Sequence, residues 1–125
     1  QGPAGQVPDF QYTTTETETD IVLNGAVVYR KLYTGTFTLT ANSITPVYLD
    51  TGLVISNFFN IGGDITTPTV TRLPVGHPAF NNDGTVLLAA TVRLSAANQP
   101  MLYVANNSSN SGTGTYSVWL EYTKP

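Results

Sequence analysis

The chain has 125 residues, a length that suits one domain able to bury a core without covalent staples. It holds no cysteine, so disulfide frameworks, thiolate metal sites and cysteine nucleophiles are excluded. Five Lys and Arg against eight Asp and Glu leave a net charge of −3, and the cations are scattered, which excludes the basic patch that a nucleic-acid backbone requires.

In chain order, Gly2-Pro3-Ala4 and Gly5-Gln6-Val7 form two Gly-X-Y triplets closed by Pro8. Residues 1–8 therefore read either as the end of a collagen-like stalk or as a plain linker, and residues 9–125 as the folded head. Tyr12 to Asp20, with Thr and acid in alternation, suits an edge strand, an extended arm or a solvated leader. Asn24-Gly25 lies between two apolar, β-branched runs and predicts a hairpin, because both central positions of a type I′ turn need positive φ. The second arm runs from Ala26 toward Thr40, with Gly35 expected to mark a bulge or bend.

Further strands are expected over 46–50, 53–61, 65–73, 85–95, 101–106 and 115–123, with breaks at Thr51-Gly52, Gly62-Gly63-Asp64, Asn82-Asp83-Gly84, residues 97–100 and residues 106–114. Alternation is cleanest in two of them. Val86, Leu88, Ala90, Val92 and Leu94 share one face, with Thr91 and Arg93 opposite. Tyr116, Val118, Leu120 and Tyr122 share another, which leaves Trp119 beside Ser117, Glu121 and Thr123. A large ring among polar neighbours points to a subunit interface, a ligand platform, or packing under a loop.

The abundance of Thr and Val and the lack of helical periodicity predict an all-β fold. About eight antiparallel strands at this spacing make a β-sandwich, with the jelly roll as the expected variant and an immunoglobulin-like sandwich as the competitor. No apolar run nears the roughly 20 residues that span a bilayer, so no membrane insertion is expected.

No catalytic residues are expected. The single histidine, His77, has no second histidine or carboxylate pair nearby, so neither a metal site nor a triad forms around it. The serines cluster in a polar loop, and most acids lie in the leader or at turns, where Asp has a local backbone role. No metal and no cofactor is expected. Glu121, on a strand, is the one unusual acid and has no evident partner.

Taken as an ordered set, Tyr12 to Glu16, Asn24-Gly25, Tyr29-Arg30-Lys31 and Glu121-Tyr122-Thr123-Lys124 resemble a module near the C-termini of phage structural proteins: tail fibres, baseplate receptor-binding proteins and head fibres. The resemblance covers both ends and leaves residues 42–110 without a matching motif. Val22 and Leu23 stand where such modules carry a Trp before the turn. It implies a non-enzymatic fibre head at the exposed tip of a virion, assembled as a homotrimer on an upstream fibre segment. Its partner would be a bacterial cell-surface saccharide or other host receptor, with no nucleic acid. For the trimer axis the candidates are Tyr29, Lys31 and Tyr33, with Lys31 pairing a leader acid across subunits, and Ser117, Trp119 and Thr123. For the ligand they are Asn81, Asn82 and Asp83 in one loop, Asn106, Asn107, Ser108 and Asn110 in another, and Tyr103 as an aromatic platform. Three alternatives stand beside this expectation: a purely structural trimerising decoration, a jelly roll like that of C1q or TNF on a collagen stalk, and a carbohydrate-binding module of a secreted enzyme.

Overall fold

The computed structural model describes residues 13–125, and the two triplets of residues 2–7, together with Tyr12, lie outside that range. Among the described residues nine strands follow one another: β1 (Thr17–Leu23), β2 (Ala26–Leu39), β3 (Ser43–Tyr48), β4 (Asn57–Thr66), β5 (Leu73–Pro74), β6 (Ala79–Phe80), β7 (Val86–Leu94), β8 (Pro100–Asn106) and β9 (Gly112–Thr123). They form a five-stranded sheet in the order β1-β2-β9-β4-β5 and a four-stranded sheet in the order β3-β8-β7-β6, with every pairing antiparallel. No helix among the described residues is long and apolar enough to cross a membrane.

One hydrophobic cluster joins the sheets, an arrangement compatible with a β-sandwich. Tyr33, Phe37, Leu39, Ile65, Val118, Leu120 and Tyr122 enter it from the first sheet, and Leu88, Ala90, Leu102 and Val104 from the second. The alternation of β9, and of β7 from Leu88 onward, is therefore expressed as predicted, with Tyr116, Val92 and Leu94 packed against the same cluster.

The Asn24-Gly25 turn forms with φ of 51° and 82°, and Leu23 pairs Ala26 across it. Other expectations need correction. Gly35 makes no bulge: β2 pairs β9 in unbroken register from Tyr29↔Tyr122 to Leu39↔Gly112, and the hairpin's irregularity lies in β1, between Glu18 and Val22. Gly62-Gly63 makes no break either, because β4 runs through it. The chain turns instead at 67–72, where a continuous strand was expected; there the Thr67 hydroxyl accepts from the Thr69 and Val70 amides.

These glycines answer to bulk across the sheet. Gly35 lies opposite Tyr116, Gly114 opposite Phe37, and Gly62 opposite Trp119. A Cβ on Gly62 would sit 2.1 Å from Trp119 Cζ2, and one on Gly35 2.6 Å from the Tyr116 hydroxyl. Each ring thus occupies the space its partner's missing side chain leaves free.

Candidate functional sites

Directly paired residues on neighbouring strands point to the same side, so the registers assign every side chain to a face. Tyr29, Lys31 and Tyr33 pair Tyr122, Leu120 and Val118, which places them on the inward face of the five-stranded sheet. Leu32 and Thr34 pair Trp119 and Ser117, on the outward face. The two sets considered for one subunit interface therefore lie on opposite sides of the same sheet.

The inward set closes one end of the core. The Tyr33 hydroxyl donates to Asp50 Oδ2 at 2.8 Å, and Lys31 Nζ reaches the same oxygen at 3.3 Å. Within the chain Lys31 thus meets an acid on the turn after β3. The leader acid Glu16 accepts from the Tyr122 hydroxyl at 2.5 Å and from Lys124 Nζ at 2.6 Å. That ammonium also lies 4.1 Å from the Tyr29 ring centroid, and Tyr29 stacks on Tyr122 with centroids 6.2 Å apart. Two carboxylates and two ammonium groups balance here.

Partial burial by itself raises Glu16, but hydrogen bonds from Lys124 and Tyr122 and the Lys124 charge outweigh it, so its carboxyl titrates below the ordinary 4.5. Asp50 is depressed likewise, with burial overcome by Tyr33, the Gly52 amide and Lys31. Burial, then the bonded carboxylates, push the Tyr33 and Tyr122 hydroxyls far above their usual range, so both stay neutral donors. The cluster's acids and bases are engaged with one another, which suits it to tying the leader and the β3–β4 turn to β2 and β9.

On the outward side, Glu121 is buried and finds the partner that its sequence position did not reveal. Arg30 Nε and Nη2 donate to its Oε2 at 2.9 and 2.6 Å. Trp119 lies half-buried over Gly62 on the same face. Toward the other end the face becomes hydroxylic, with Thr36↔Thr115 and Thr38↔Thr113 exposed.

The candidate ligand loops spend much of their hydrogen bonding internally. Asn106 is 2% exposed; its Nδ2 donates to the Thr40 and Asn110 carbonyls, while its Oδ1 accepts from the Ser108 amide and hydroxyl. Asn107 Nδ2 donates to the Val86 carbonyl and Asn110 Nδ2 to the Thr69 hydroxyl. Asn81 Nδ2 donates to Thr85 Oγ1, and Asp83 Oδ1 accepts from the Thr85 amide and hydroxyl, with Asn82 exposed between them. His77 is exposed in a turn, where its amide donates to the Pro74 carbonyl. Among the described residues no group of three or more His, Asp or Glu is placed to hold a metal ion.

Tyr103 stands apart from both loops, on the outward face of the four-stranded sheet. It pairs Pro46 and Thr91, while Ala105 pairs Ile44 and Ala89. A cleft of about 320 Å³ opens there, lined by Ile44, Ala89, Thr91, Arg93, Tyr103 and Ala105. The Arg93 guanidinium carbon lies 4.9 Å from the Tyr103 ring centroid. Of these six, sequence reasoning named only Tyr103 as a site residue. The signal for Thr91 and Arg93 was their parity, opposite to the core residues of β7. No protein-family model, no curated protein and no solved structure matches this chain.

Proposed function

We propose that this chain is a non-catalytic head domain of a phage fibre, assembled as a homotrimer at the exposed tip of the virion and recognising a bacterial cell-surface saccharide. The observation that supports it most is the meeting of the segments that carry the resemblance. Glu16 of the leader holds Tyr122 and Lys124 of the closing strand, and Arg30 of the Tyr-Arg-Lys element holds Glu121. Motifs from both ends of the chain behave as one physical unit, as a module would require.

The strand order supports reading the two sheets as a jelly roll, because the chain crosses between them four times, after β2, after β3, after β5 and after β8. The trimer draws on an apolar or aromatic outward surface, and Trp119 with Ser117 is the candidate that faces outward. The internal bonding of Asn106, Asn107 and Asn110 favours a second reading, in which the head trimerises and ends the fibre without a ligand in those loops.

Light scattering at two protein concentrations tests the assembly. A trimer has three times the 13.4 kDa chain mass at both. A monomer at both removes the fibre-head reading. Binding of the labelled trimer to host cells then separates recognition from decoration.

A further inference from the structure

The outward face of the four-stranded sheet carries chemistry that neither the fold nor the polar cluster uses. Its floor is short, because Ala89 and Ala105 lie side by side on β7 and β8. Its walls are Ile44, 65% exposed, on one side and Tyr103 with Arg93 on the other. Short floor residues between taller walls make a trough, and the walls and floor are mostly hydrocarbon.

The charge within it is a single cation. Arg30, Lys31 and Lys124 are engaged by Glu121, Asp50 and Glu16. Arg93 is exposed, and among the described residues no carboxylate pairs with it; its guanidinium is held against the Tyr103 ring. Among the described residues the Tyr103 hydroxyl donates to the Met101 sulfur alone, at 3.7 Å, a weak acceptor. Thr91 adds a hydroxyl at the trough's edge. A pre-positioned guanidinium, two hydroxyls and an apolar floor form a complementary set for one chemistry: a carboxylate on a ring with an apolar face.

We infer that this cleft binds an acidic saccharide, with the sugar carboxylate on Arg93, a C–H face on Ala89, Ala105 and Ile44, and ring hydroxyls on Thr91 and Tyr103. The inference deepens the fibre-head reading and rests on it for the source of the sugar, a uronate-bearing polymer of the bacterial surface. The guanidinium supplies the selectivity, because a neutral sugar of the same shape leaves its donors without a charged acceptor.

The test uses the full chain and oligosaccharides of galacturonic, glucuronic and mannuronic acid, with their methyl esters as neutral counterparts, by calorimetry and amide chemical-shift mapping. At least one acid oligomer binds and shifts the amides of β7 and β8, and its methyl ester binds about tenfold or more weakly. Arg93→Gln loses the acid's advantage by a similar factor while its unfolding midpoint stays that of the parent, since the side chain is exposed. Tyr103→Phe weakens binding by a smaller factor.

Absence of binding by all three acids at millimolar concentration overturns the inference. So does equal affinity for acid and ester, or an Arg93→Gln chain that binds as the parent does. Ile44→Asp separates the remaining occupant: if it converts an oligomer to a monomer, this face is a subunit contact and the saccharide site is wrong. A trimeric chain that binds host cells equally well with Arg93→Gln leaves the fibre-head reading standing and removes this site. A monomeric parent chain that nonetheless shows Arg93-dependent sugar binding does the reverse.

Discussion

The two outward faces of this domain solve the same problem differently. On the outward face of the five-stranded sheet Arg30 is closed on Glu121, Trp119 lies over Gly62 and threonines face threonines. On the four-stranded sheet Ile44 and Tyr48 stand more than half exposed, the alanines leave a trough, and Arg93 leans on a ring with no carboxylate among the described residues. The Arg30–Glu121 pair holds the first face together from within, while the trough and the guanidinium of the second are open to a small ligand.

Breaking the closed face gives the largest effect. Glu121→Ala takes the carboxylate from the Arg30 guanidinium in a site where its side chain is 13% exposed, and the loss expected is about 3 kcal/mol, or roughly 10 °C in unfolding midpoint. Calorimetry checks it, and Arg30→Met with Glu121→Met recovers most of the loss because both buried charges are gone. If Glu121→Ala unfolds at the parent's temperature, the two faces do not differ in the way described.

The next effect sharpens the account of Trp119. Gly62→Ala puts a methyl where the indole lies and costs about 2 kcal/mol. In a Trp119→Ala background the same substitution costs less than about 0.5 kcal/mol, since the clash has no partner. Equal losses in both backgrounds would assign the cost of Gly62→Ala to the backbone and not to the ring.

The smallest effect is a pH dependence at the end of the core. Glu16 titrates lower folded than unfolded, so its contribution is present above 4.5 and is lost as pH falls through the lower folded value. Glu16→Gln lowers stability by about 1 kcal/mol or less at neutral pH, as a partly exposed pair should, and the difference from the parent vanishes in acid. Denaturant unfolding from neutral pH downward reads both. A constant gap across the range would mean that the Glu16 charge contributes nothing and its packing everything.

Local chemistry made much of the fold legible. Asn24-Gly25 demanded its turn because few other residues tolerate positive φ at both positions. The period-two patterns of β7 and β9 placed Leu88, Ala90, Val118, Leu120 and Tyr122 in the core, since alternation along a strand is a property of the strand alone. The glycines of β2 and β4 misled, because Gly35, Gly62 and Gly63 read as punctuation until the strand beside them is known. The strand expected over 65–73 is divided between the end of β4 and the start of β5, because a β-branched, Thr-rich run does not show that the Thr67 hydroxyl will turn the chain.

The candidate sites were legible only in part. Tyr103 was visible as an aromatic next to a loop, and Thr91 and Arg93 as residues opposite the core face of β7, but only the β7–β8 and β3–β8 registers set them with Ile44 around one trough. Asn106 reads in sequence as a loop hydrogen bonder, and burial turned it into a brace for residues 40, 108 and 110. The sequence by itself determined the all-β class, the hairpin and the inward face of the closing strand, because these depend on φ preferences and on alternation between neighbours. Only the tertiary structure decided that Glu16 meets Lys124, that Arg30 meets Glu121 and that Arg93 meets the Tyr103 ring, because each pairing depends on strand register between segments far apart in the chain.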